Sequence, residues 1–217
     1  VPITTYLPDY PKETGDIITI HHLLTHTAGI PNYTSFPGFF RNQSRDPYTP
    51  EEFVQVFCDS TFDFKPGKKF SYSNSGYFLL GHILEKVTGK SYEDLLHKHI
   101  FEPLNMNASG FDHHASILKN RATGYERSGS GKFRNAAYLD MSIPYAAGSL
   151  YSTVEDLFLW DEGLRNNKLI KEETKELMYT PHIESWESHY AYGWGVEKHK
   201  IKDRTDRKST RLNSSHM

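Results

Sequence analysis

The stretch KFSYSNSGYFLLGHILEKVTG, residues 69–89, constrains the fold more than any other part of the chain. It holds the longest apolar run, Tyr77 to Leu84, which is broken by Gly81 and His82 and is far too short to span a bilayer. The pattern predicts a helix from about Ser75 to Thr88, with Tyr77, Leu80, Leu84 and Val87 on one face and Gly89 as its stop. Directly in front stands Tyr72-Ser73-Asn74. A tyrosine at a helix mouth can move protons when nearby cations lower its phenol pKa from about 10. An asparagine two residues on offers an oxygen to a lysine and a nitrogen to a substrate amide. On the tripeptide alone, simple capping of the helix by Asn74 or Ser75 is the better account.

Flanking segments read as short helices between turn-rich loops. In ITIHHLLTHTAG, Thr19 caps a helix, Ile18 staples onto Leu23 and Gly29 ends it. A long loop with several aromatic side chains follows. TPEEFVQVF then opens a second helix with Thr49 as cap, Pro50 at its first position and Glu52 closing a capping box. Ser91 starts a fourth helix expected to stop before Pro103. The segment 116–138 reads as a connector and a hairpin with Ser-Gly-Ser-Gly as its turn. Ser152 and Glu155 form a further capping box, a shorter helix covers about Glu172 to Met178, and YAYGWGVEKHK reads as a strand.

Composition sets outer bounds. The 217 residues suffice for one sizeable domain, and 37% hydrophobic residues with a formal charge of −2 describe an ordinary soluble globular chain. No concentrated basic face calls for a nucleic-acid partner, and no segment is a membrane span. Cys58 is the single cysteine, so no internal disulfide can form. His22 and His26 stand at i, i+4, a spacing that could bind zinc, but no Glu lies between them in the HExxH sense and no third ligand is evident. The histidines at 97, 99, 113 and 114 lack partner ligands in the same way, so none of these residues is expected to bind a metal. Ser116-Ile117-Leu118-Lys119 matches S-x-x-K but lies in a polar connector without helical periodicity, which argues against a serine–lysine pair.

The ordered set ITIHHLLTHTAGIP, FSYSNSGYFLLGHILEKVTGKSYEDLL, IFEPLNM, AAGSLYSTVEDLFLW and YAYGWGV changes the account of Tyr72 and Asn74. Together these segments resemble the serine β-lactamase-like family, the group of class C β-lactamases, D-alanyl-D-alanine carboxypeptidases and related esterases. The resemblance covers nearly all of residues 1–205. It implies an α/β (α+β) fold of the β-lactamase/DD-peptidase type, here mostly the helical region plus part of the antiparallel sheet layer. It also implies acyl transfer through a serine on a lactam, peptide or ester carbonyl, with no cofactor. By the same resemblance Tyr72 is the acid/base tyrosine and Asn74 its partner. Asn32 and Tyr33, in the loop after Gly29, and Ala147 and Gly148 resemble walls of the substrate cleft. Where the source compartment is concerned, the resemblance points to a periplasmic, secreted or membrane-anchored protein.

The departures from the family pattern matter as much. The family's S-x-x-K serine lies upstream of THTAG, and Ser116 stands in the wrong order to replace it. Its K-T-G or H-T-G strand follows YGWGV. Both are expected to lie outside the printed sequence, which begins at Val1 without an initiator Met. DRKSTRLNSSH, residues 206–216, can be written codon by codon as a widely used short-read library adapter, so 206–217 is expected to be a non-native tail. Excluding Asp206, Arg207, Lys208 and Arg211 moves the charge of the remainder from −2 to −4. Two functional classes stay open at this point: a piece of a serine hydrolase that is inactive by itself, and a non-enzymatic binding member with a degenerate nucleophile. A zinc hydrolase is a distant third.

Overall fold

A computed structural model describes residues 1–185, 188–201 and 204–209, with 197–201 and 204–209 described by their backbone alone. In chain order, the helices are α1 (Lys12–Gly15), α2 (Ile20–Leu24), α3 (Phe39–Asn42), α4 (Pro50–Val54), α5 (Asn74–Thr88), α6 (Tyr92–Leu96), α7 (Glu102–Leu104), α8 (Val154–Arg165) and α9 (Glu172–Tyr179). The strands are β1 (Gly110–Phe111), β2 (Tyr125–Arg127), β3 (Phe133–Asn135), β4 (Leu150–Tyr151), β5 (Ile183–Ser185), β6 (Ser188–Tyr190), β7 (Gly195–Ile201) and β8 (Arg204–Ser209). Strands β1 and β4 pair with each other, β2 and β3 form the hairpin expected around Ser-Gly-Ser-Gly, and β5-β6-β7-β8 make an antiparallel sheet. The architecture is therefore mixed helix and antiparallel sheet.

Helix α5 is the axis of the main core, and α2, α4, α6 and the turn at Tyr145–Ala147 all pack on it. Its buried face is Ser75, Gly76, Phe78, Leu79, Gly81, His82 and Ile83. The spaced apolar residues do not mark that face squarely: Tyr77 and Leu80 are partly buried, but Leu84 is 45% exposed and Val87 61%, so the helix is rotated from the side they share. Small residues explain the rotation. A Cβ on Gly81 would stand 2.4 Å from the Cβ of Ala146, and one on Gly76 would touch Leu23 at 3.6 Å. Glycine and serine let neighbouring backbones come closest, so the side they share with Phe78, Leu79 and Ile83 is the one buried, although its own small residues add little to the hydrophobic spacing. Tyr33, Phe39, Phe53, Phe57 and Phe78 then fill the core as tilted and edge-on aromatic pairs.

Several boundaries differ from the sequence reading for local reasons. Helix α2 is capped by Thr19 as expected, with His22 completing the box, but it ends at Leu24, well before Gly29. His26, at φ 54°, breaks it. The fourth helix does not stop before Pro103. It continues through a π turn, His97–Phe101, into α7, whose first turn holds Pro103, so the proline is accommodated where the helical hydrogen-bond pattern changes. The cap of α8 is Thr153, one residue later than Ser152, whose hydroxyl is instead 2.7 Å from that of Ser109. YAYGWGVEKHK is not one strand. A turn at Ala191–Trp194, with Gly193 at φ 79°, folds β6 back onto β7. Of the segment 206–217, positions 206–209 pair with β7 and the rest lies outside the described residues. Strand pairing has no bearing on how those positions came to be encoded.

Candidate active site

The mouth of α5 is built from two segments sewn together by backbone. Residues 25–33 run beside residues 63–75, with Asp63 N–H donating to Gly29 O, Gly67 N–H to Thr27 O and Ser71 N–H to His26 O. Gly29 is required at its position. Its φ is +74°, and a Cβ there would lie 2.1 Å from Phe64 O. The Ser75 hydroxyl donates to Pro31 O at 2.7 Å and accepts the Tyr33 N–H at 3.1 Å, which locks the loop after Gly29 onto the first turn of α5.

Asn32 and Asn74 meet across this seam. The Asn32 side chain receives the backbone N–H groups of Thr34 (3.4 Å) and Asn74 (3.3 Å), and the Asn74 side-chain amide at 3.2 Å. Backbone amides only donate, so the Asn32 atom that faces them is its oxygen. The Asn74 atom facing that oxygen must then be Nδ2, which turns its Oδ1 away from Asn32. The orientation of Asn74 is thus imposed by its neighbour and not left to a free rotor.

Tyr72 precedes Asn74 in a half-buried position, its ring centroid 4.2 Å from that of His26. His26 is 3% exposed. Its Nδ1 accepts the Ser73 N–H at 3.2 Å, and its Nε2 is 3.2 Å from the Tyr190 hydroxyl. Because Nδ1 must be an acceptor, neutral His26 carries its proton on Nε2 and donates to Tyr190. Burial lowers the imidazole pKa from 6.5 to about 3, so the ring is neutral near pH 7. Tyr77, 4.8 Å from His26, donates to Leu24 O, and its phenol pKa is raised above 10 first by burial and then by Tyr190.

The other expected wall residues are placed differently. Tyr33 presents no cleft surface. Its ring is 2% exposed in the aromatic core and its hydroxyl donates to Ile143 O at 3.1 Å, because a phenol this deep needs an internal acceptor. Ala147 and Gly148 lie on the turn that docks at Gly81, seven residues and so about 10 Å along α5 from Asn74. Ser116–Lys119 is in an exposed loop, not one helical turn. His22 and His26 do not share a helix face: the first closes the α2 cap and the second lies beyond the helix end. Among the described residues, no group of three or more His, Cys, Asp and Glu is arranged to hold a metal ion. Spacing alone did not reveal the contact of His26 with residues 71–73, since only the paired backbones create it.

This mixed fold is that of β-lactamase/DD-peptidase-like proteins. The chain superposes on a D-stereospecific amidohydrolase from Streptomyces sp. with a TM-score of 0.81 at 29% identity, covering 91% of this chain and 63% of that one. It superposes on the D-amino acid amidase of Ochrobactrum anthropi SV3, in complex with L-phenylalanine amide, with a TM-score of 0.77 at 25% identity, covering 95% and 60%. In sequence it is 32% identical over 194 residues to a putative penicillin-binding protein, PbpX, of Bacillus subtilis strain 168, covering 89% of this chain and 45% of that protein. The Beta-lactamase family profile matches residues 1–208, and the chain belongs to that family. It spans about half the length of the first curated relatives it matches, 45% and 47%.

Proposed function

We propose that this chain forms the acid/base side of a serine hydrolase site that works by acyl transfer on a lactam, peptide or ester carbonyl. The observation that carries the reading is the Asn32–Asn74 pairing, which presents a fixed asparagine two residues from Tyr72 at the mouth of α5. In the reaction, the oxygen of a serine outside this sequence attacks the carbonyl carbon. The serine proton passes to a base formed by Tyr72 and the lysine of the same S-x-x-K, then to the leaving nitrogen or oxygen as the scissile bond breaks. Asn74 directs Oδ1 to that lysine and the second Nδ2 proton to the substrate carbonyl. Water hydrolyses the acyl ester by the reverse proton path. A penicillin-binding protein, an amidohydrolase and an amidase among the similar proteins support carbonyl chemistry, and a cell-envelope location accords with the first of them.

On this reading, residues 1–205 lack the nucleophile and the 217-residue chain is inactive. The test is turnover of nitrocefin, p-nitrophenyl acetate and D-phenylalanine p-nitroanilide, together with fluorophosphonate labelling. The chain alone is expected to do neither. The product of the extended reading frame is expected to turn over at least one of the three and to lose that activity in Tyr72→Phe. Activity of the extended protein that survives Tyr72→Phe would refute the assignment.

A further inference from the structure

We propose that His26 is a positioning residue for Tyr72, holding the phenol at the mouth of α5 by accepting both flanking backbone amides and packing its ring on the tyrosine ring. As a role for a residue outside the Tyr72–Asn74 pair, it rests on the proposed function only for its effect on turnover.

The geometry is specific to one residue. Tyr72 is preceded by Ser71 and followed by Ser73, and both amides donate to His26, one to its carbonyl at 2.9 Å and one to Nδ1 at 3.2 Å. A tyrosine so bracketed cannot change its backbone dihedrals without breaking one bond or the other. The left-handed backbone of His26 ends α2 and brings its carbonyl and its ring to the same segment. For a residue with a Cβ, that conformation is strained and persists only when the surroundings require it. The ring fills the space between two sides of the site: 4.2 Å from Tyr72, 4.8 Å from Tyr77 and edge-on to Phe70 at 5.9 Å.

Chemistry selects the tautomer. Nδ1 facing an N–H must be unprotonated, and Nε2–H is then available to the Tyr190 hydroxyl at the end of β6. A proton on Nδ1 would set two donors against each other and release residue 73. Tyr190 therefore ties the sheet to the same imidazole that holds Tyr72. Asparagine keeps a short acceptor and tolerates a left-handed backbone, but has no ring. Phenylalanine keeps a ring and has no acceptor. The two substitutions separate the halves of the role.

The first measurement is the imidazole ¹⁵N spectrum of the wild-type chain between pH 5 and 8, which needs no variant. His26 is expected as the Nε2–H tautomer throughout, and an Nδ1–H form would overturn the proposal. The second uses ¹³Cζ-tyrosine labelling, with Tyr72 assigned by Tyr72→Phe and buried Tyr33 as the reporter of an intact core. His26→Phe and His26→Asn are expected to move the Tyr72 resonance and its titration midpoint while leaving Tyr33 in place. A Tyr72 signal unchanged in either variant that keeps the Tyr33 signal would also overturn it. In the active extended protein, His26→Phe is expected to lower kcat about 100-fold with KM nearly unchanged and to displace the alkaline limb of the pH profile. If Tyr72→Phe leaves turnover intact, the acid/base reading fails while the spectroscopic result for His26 stands. If only the His26 variants behave as wild type, the positioning role fails alone.

Discussion

Asn32 Oδ1 accepts both the backbone N–H and the side-chain amide of Asn74, at 3.3 and 3.2 Å, so the residue before a core tyrosine fixes which way the motif asparagine points. Removing the Asn32 side chain leaves three donors without their acceptor, the Thr34 N–H and both of the Asn74 groups. Asn32→Ala is expected to cost about 1–3 kcal/mol in urea unfolding. In the extended protein it should lower kcat/KM at least 10-fold, and Asn32→Asp, which keeps the acceptor oxygen, should restore part of that loss.

The buried imidazole makes stability depend on pH. In the folded chain the His26 pKa is depressed from 6.5 to about 3, chiefly by burial. Between those values the unfolded chain binds a proton that the folded chain refuses, so stability falls as pH drops from about 6.5 towards 3. The slope approaches ~1.4 kcal/mol per pH unit for this one group. Urea midpoints measured from pH 7.5 to 4.5 should decline, and less steeply in His26→Phe. Equal slopes would place the acid sensitivity elsewhere.

At α4, the Thr49 hydroxyl accepts the Glu52 N–H at 3.2 Å and the Glu52 carboxylate accepts the Thr49 N–H at 2.8 Å. Thr49→Ala removes one arm of this box, and thermal or urea denaturation should report a loss of about 1 kcal/mol. Thr49→Ser should be close to neutral. None of the groups bonded to His26 belongs to this cap, so the tautomer of His26 should be unchanged.

Helix α8 exposes Val154 at 76% and Phe158 at 64%, four residues apart on one face. The chain by itself should therefore bind ANS and self-associate at raised concentration. Phe158→Ser should reduce both without loss of helicity, since its ring is mostly in solvent. Dye binding that is the same in the variant would show that other surfaces attract it. Marginal stability of residues 1–205 is expected for the same reason, and a steep unfolding transition with a high midpoint would contradict it.

Glycine at position 29 is set by space as much as by conformation. Gly29→Ala would drive a Cβ into Phe64 O and force a left-handed alanine. The expected loss exceeds about 2 kcal/mol, read as a lowered urea midpoint.

Local chemistry decides much of this protein without reference to tertiary contacts. The Thr19 and Thr49 caps, Gly89 as the stop of α5 and the Ser-Gly-Ser-Gly hairpin depend on residues within four or five positions of each other, so short-range sequence rules reach them. Tyr72 and Asn74 stand out as a tripeptide at the start of a strong helix, but that tripeptide alone reads as a cap, and only the resemblance of the ordered segments along the chain gives them a role. The tertiary structure decided what spacing cannot encode. It turned α5 onto its glycine and serine side, because close backbone approach rewards missing atoms that carry no hydrophobic signal. It ended α2 early by seating His26 under residues 71–73, and it sent Tyr33 into the core while Asn32 beside it met Asn74. Those partners lie 42 to 110 positions apart in the chain. Only paired backbones bring such groups within hydrogen-bond reach, so the orientation of Asn74 and the tautomer of His26 belong to the fold.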